Sequence, residues 1–172
     1  MKRFFYLLLC LLTVLSLLAC GREERDYSGV LRGDFQAVLR GERQGVAFEA
    51  TAQVRLLGDG TRELRLFYVS PEALRDVSVS ALLEEDGQLN GGTATLRGVT
   101  VPMEEAAAQG LLTPLLALLT EDVPETVQGE GNDTCRLTFS SGRVMRMVRR
   151  NGVWIPCSYA CEGLFFEVIF AD

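Results

Sequence analysis

Hydrophobic and polar residues alternate along most of this chain. Leu31, Gly33, Phe35, Ala37 and Leu39 fall on one side, against Arg32, Asp34, Gln36 and Arg40 on the other, with Val38 the exception. After a turn at 41–45 the alternation returns more cleanly. Val46, Phe48, Ala50, Ala52, Val54 and Leu56 oppose Glu49, Thr51, Gln53 and Arg55. A two-residue period sustained this far predicts strands with one apolar and one wet face. Such long strands suit a large curved sheet better than a compact sandwich.

Turn residues separate further strands. Gly58-Asp59-Gly60 leads into Leu64, Leu66 and Tyr68, and Ser70-Pro71 ends that run before Val77, Val79, Ala81 and Leu83. Asp86-Gly87 and Asn151-Gly152 are hairpin dipeptides, because both central positions need positive φ. Asn90-Gly91-Gly92 and Ser140-Ser141-Gly142 predict two more turns. The C-terminal half supplies Cys135/Leu137/Phe139, Met145/Met147, Val153/Ile155 and Leu164/Phe166/Val168/Phe170. The expectation is a mainly β domain of eight to ten antiparallel strands, mostly joined in sequence order.

One segment departs from this period. Residues 103–120, MEEAAAQGLLTPLLALLT, carry no charge after Glu105, and their leucines cover a broad arc of a helical wheel. Small Gly110, Thr113 and Ala117 lie opposite. Such a helix expects burial on most sides, and Pro114 should kink it or split it at Thr113. No cation lies between Arg97 and Arg136. Surface helices on membranes usually carry cations on their polar face, so the concave side of the sheet is the better place for this one.

The first 20 residues, MKRFFYLLLCLLTVLSLLAC, have the layout of a secretory signal: Lys2 and Arg3, then an apolar run. A permanent span wants about 20 apolar residues, and this run barely reaches that. Leu17-Leu18-Ala19-Cys20 resembles the lipobox of bacterial lipoproteins. The resemblance implies cleavage of residues 1–19, lipidation of Cys20 with acyl chains of the palmitate class, and anchorage to the outer face of the bacterial cell membrane. Two or three acyl chains make a durable anchor. Residues 20–30 then form a polar tether that can reach about 30 Å, and 31–172 form the domain. Loss of Lys2 and Arg3 takes the net charge from −6 to −8 and removes the chain's sole lysine. So acidic a domain, lacking a basic stripe, is a poor binder of nucleic acid.

Lipobox, tether, long amphipathic strands and a mid-chain apolar helix occur in a recognisable order. The segments "FQAVLRG", "VSPEALRDVSV" and "NGVWIPCSYACEGLFFEVIF" carry the resemblance to the half-barrel superfamily of LolA, LppX and RseB, including GerS-type clostridial germination lipoproteins. It implies a strongly curved, incomplete β-barrel with the helix on its concave side. It also implies a non-catalytic role: holding an acyl chain, a lipid or a lipidated protein in an apolar cavity. The lining expected for that cavity is Phe35, Phe48, Val54, Leu66, Leu112, Leu115, Leu116 and Phe166. The alternative is a cell-envelope interaction or sensing module for sporulation, germination or stress, with its hollow filled and an envelope protein as partner.

Enzymatic chemistry has little to stand on. The chain has no histidine, which removes the usual general base and the commonest transition-metal ligand. No catalytic residue, metal site or cofactor is expected. Asp86 to Gly91 resembles half of a calcium loop, but its twelfth position is Arg97, where a carboxylate is required. Glu104 and Glu105 suit the first turn of the helix. Cys135, Cys157 and Cys161 admit a bridge from Cys135 to Cys157 or to Cys161 in an exported chain, or three free thiols acting as small hydrophobes. Cys157 and Cys161, about 13 Å apart on a regular strand, cannot pair. Arg143, Arg146, Arg149 and Arg150 form the one basic cluster, read as a solvated strand face with acidic neighbours. Contact with anionic lipid headgroups or an acidic partner is the alternative.

Overall fold

A computed structural model of the chain describes residue 27 and residues 29–58, 60–119 and 123–171. The expected signal segment 1–19, Cys20 and most of the expected tether lie outside the described residues. A single 3-10 turn, Gly29–Leu31, precedes the strands and buries Leu31. The first strand therefore starts four residues later than its alternation suggests.

Six strands follow as a meander: β1 (Phe35–Arg43), β2 (Val46–Leu56), β3 (Arg62–Ser70), β4 (Val77–Leu83), β5 (Leu89–Leu96) and β6 (Val99–Pro102). Helix α1 (Glu105–Leu119) comes next. Five more strands complete the chain: β7 (Thr126–Gly129), β8 (Thr134–Thr138), β9 (Val144–Arg150), β10 (Val153–Cys161) and β11 (Leu164–Phe170). All eleven belong to one antiparallel, unclosed sheet in the order β6-β5-β4-β3-β2-β1-β11-β10-β9-β8-β7. The first and last strands pair at its middle, Leu39 opposite Val168. The edges β6 and β7 are the two strands that α1 joins. The chain thus leaves one rim of the sheet and re-enters at the other.

Eleven strands replace the expected eight to ten, because the rims VTVP and TVQG are too short to show a period. Asn90-Gly91-Gly92 is not a turn. It lies inside β5, where Gly91 takes a positive φ and the β4–β5 register slips between Ser80 and Leu82. A bulge absorbs the glycine there. The next turn is Arg97-Gly98, both at positive φ. Gly41 also belongs to a strand; the turn after β1 is Gln44-Gly45.

One face of the sheet is a continuous core. Leu39, Ala50, Ala52, Leu64, Leu66, Val79, Met147 and Phe166 have essentially no exposed surface. Two glycines allow close approaches within it. A Cβ on Gly41 would lie 2.0 Å from the Phe165 carbonyl oxygen and 2.6 Å from the Phe166 Cβ. Phe48 and Phe166, opposite Gly41 on its two sides, meet over it with ring centroids 6.2 Å apart. A Cβ on Gly92 would lie 2.7 Å from the Ala108 Cβ, so α1 rides directly on β5 there.

Helix α1 packs on β3, β4 and β5, burying Ala108, Leu112, Leu115, Leu118 and Leu119. It is one helix, with Pro114 inside it. The expected split at Thr113 does not occur. Proline has no N–H to give the carbonyl four residues back, and here that carbonyl finds other donors. Gly110 O accepts from the Arg43 guanidinium and, at 2.9 Å, from the Thr113 hydroxyl. Leu111 O accepts from the Tyr68 hydroxyl.

Candidate functional site

All eight residues expected to line a cavity come from β1, β2, β3, β11 and α1, and all belong to or pack on the same core. Phe35, Phe48, Val54, Leu66, Leu112, Leu115 and Phe166 are buried, and Leu116 is partly buried against them. Their packing is close. Leu66, Leu112, Leu115 and Phe166 expose 0% of their surface. A side chain with no surface accessible to a water-sized probe borders no void that could hold water, still less an acyl chain. Phe166 stacks on Tyr159, centroids 5.1 Å apart.

The inner face is covered less well at its rims. Register places Val101 beside Ala94 and Ala94 beside the buried Val79; it also places Val99 beside Leu96 and Leu96 beside Val77. Residues directly opposite share a face, so Leu96, Val99 and Val101 belong to the inner face. They are nevertheless exposed, Val99 by 66%. Across the gap, Val127 of β7 lies opposite the buried Leu137 and is itself 47% exposed. Every residue of β6 and β7 is exposed. Where β6 runs into α1, Leu89, Gly92, Pro102, Met103, Glu105 and Ala108 border a half-open hollow of about 250 Å³. That is slightly under the usual size of a ligand pocket, about 300–1,000 Å³. Sequence reasoning missed this rim because its strands carry only two valines each at most.

Three titratable groups are shifted by burial. Burial pushes the Tyr68 hydroxyl up to about 12, with the nearby Arg43 charge working against it. Burial likewise raises Tyr159 and Cys157, the latter against the pull of Arg146. None of Cys135, Cys157 and Cys161 is in a disulfide. The bridge considered from Cys135 to Cys157 or Cys161 does not form, because β9 runs between β8 and β10. Two strand spacings, about 9.6 Å, exceed disulfide reach. Cys157 is the extra residue where the β9–β10 register slips between Pro156 and Ser158, and its thiol bonds the Arg146 carbonyl at 3.4 Å.

Within the basic cluster, Arg146 pairs with Glu130 at 3.2 Å, and the Arg143 guanidinium lies 5.0 Å over the Phe139 ring. Asp86 caps its own hairpin by accepting from the Gln88 N–H at 3.0 Å. Among the described residues no acidic, cysteine or histidine cluster could hold a metal ion, and no helix is long and apolar enough to cross a membrane. No protein-family model matches the chain, and no curated protein matches it.

Proposed function

We propose that this chain is a bacterial lipoprotein, held by Cys20 to the outer face of a membrane, whose body is a non-catalytic interaction module of the cell envelope. The body is read as a half-barrel of the LolA-like kind. Flat, eleven strands would span about 48 Å, whereas one helix covers about 10 Å. Inner-face residues are buried from Val79 on β4 to Cys135 on β8, while α1 packs mainly on β3 to β5. A sheet curled upon itself accounts for that burial. The observation that carries the interaction reading is the contrast between its middle and its rims: seven of the eight residues expected to line a cavity are buried, four of them with no accessible surface, while both edge strands are exposed throughout.

A second reading, an acyl-chain or lipid carrier, is favoured by one observation, the hollow of about 250 Å³ beside the half-buried Met103, next to the exposed Val99 and Val101. Native mass spectrometry of the chain from Gly21 onward separates the two. The interaction reading expects protein without bound lipid; stoichiometric lipid would replace it with the carrier reading. Cys20→Ser should release the full chain from membranes, and its retention there would count against the anchor.

A further inference from the structure

We propose that the β7 edge is a docking strand for an extended, basic polypeptide segment of a partner, which adds as a twelfth strand. This deepens the interaction reading and rests on it. The backbone of β7 offers the means. The Glu130 N–H donates to the Thr134 carbonyl at 3.0 Å, and 130 and 134 keep the register of the β7–β8 ladder. Backbone groups alternate in direction along an antiparallel strand. Thr126 and Gln128 therefore face β8, and the N–H and C=O of Val127 and Gly129 face the open rim. Such a row is a template for strand addition. The opposite rim is blunted, since Met103 N–H points inward to Gly92 and the outward-facing Pro102 has no N–H.

Charge and side chains identify the occupant. Glu125 stands before β7, and Glu130 and Asp133 stand after it, while the whole stretch 98–135 holds no Lys or Arg. The nearby cations, Arg136 and Arg146, lie on β8 and β9, and Arg146 is already paired with Glu130. A second copy pairing β7 with β7, Val127 opposite Gly129, would set Glu125 opposite Gly131 and Glu130 opposite Thr126 and so bring no cation to either carboxylate. An added strand with cations near Glu125 and Glu130 and an apolar residue beside Val127 satisfies both charge and exposed surface.

The test uses the full chain in neutral detergent and two eight-residue probes, one alternating lysine with valine and one alternating glutamate with valine. The lysine probe should bind more tightly at low salt than at 0.3 M, roughly, as exposed charge pairs do. It should slow hydrogen exchange at the Val127 and Gly129 amides. Val127→Pro should abolish binding while sparing the β8 ladder, because the lost N–H faces the rim. E125Q/E130Q, which leaves the backbone intact, should weaken binding about fivefold and decides the matter if Val127→Pro misfolds. Failure of the lysine probe to bind, equal binding of the glutamate probe, protection elsewhere, or undiminished binding by the variants would overturn the proposal. Stoichiometric lipid in native mass spectra would instead overturn the interaction reading itself.

Discussion

The Arg43 guanidinium, at the end of β1, donates a hydrogen bond to the Gly110 carbonyl, the acceptor that Pro114 leaves without its backbone N–H. A proline in mid-helix ordinarily costs about 3 kcal/mol, partly through the orphaned carbonyl. Here Arg43 of the sheet and the Thr113 hydroxyl donate to that carbonyl, and the Tyr68 hydroxyl donates to the neighbouring Leu111 carbonyl. The defect thereby becomes the place where α1 is fastened to β1 and β3.

Arg43→Met should therefore lower stability by about 2 kcal/mol, the scale of a charged hydrogen bond, the Gly110 carbonyl keeping only the Thr113 hydroxyl. In a Pro114→Ala background the helix can satisfy Gly110 itself, and the same change should cost less than about 1 kcal/mol. A double-mutant cycle from urea melts checks this; additive losses would mean that Arg43 stabilises the fold by another route.

Tyr68 should make the fold sensitive to alkali. Its hydroxyl is raised from 10.0 to about 12 in the folded state by burial. The folded chain thus holds this proton more tightly than the unfolded chain. The resulting stability is complete below pH 10 and disappears as the pH rises from about 10 to 12, amounting to roughly 2–3 kcal/mol. Tyr68→Phe should flatten that part of the stability profile while lowering stability at neutral pH by about 1 kcal/mol. Denaturant melts at pH 8, 10 and 11 would show both effects.

Gly41→Ala should be destructive although it adds one carbon. Its Cβ would overlap the Phe165 carbonyl and the Phe166 side chain, so β1 and β11 would have to part at the middle of the sheet. A loss of about 3 kcal/mol is expected from overpacking and a broken ladder bond. Gly33→Ala, with open space around it, is the control. Thermal melts of the two variants should differ clearly.

Leu115→Gln puts an amide where no water reaches. With the interior packed, the change should cost about 3–5 kcal/mol of stability. A variant that folds as stably as the parent yet loses bound lipid would point to a cavity at this position. Calorimetry together with native mass spectrometry reads both quantities.

The fold was legible where long periods exist. The alternation through 46–56 and 164–170 marks β2 and β11 because each has one face on the core and one in water, and the Asn151-Gly152 turn follows from positive φ at both residues. The apolar run 103–120 marks α1 to within two residues. The rims were not legible: four-residue strands exposed at every position carry no burial contrast to be written into a pattern.

Sequence alone determined the strand-forming faces, the helix and most hairpin turns, because these depend on residues near one another along the chain. Only the tertiary structure decided that the first and last strands meet at the centre, that Gly41 makes room for Phe166, that β9 keeps Cys135 apart from Cys157 and Cys161, and that Arg43 serves the carbonyl Pro114 leaves without its N–H. Each of these is a contact between residues distant in sequence. Local period and propensity say which face a side chain takes, and the pairing register says what it meets there.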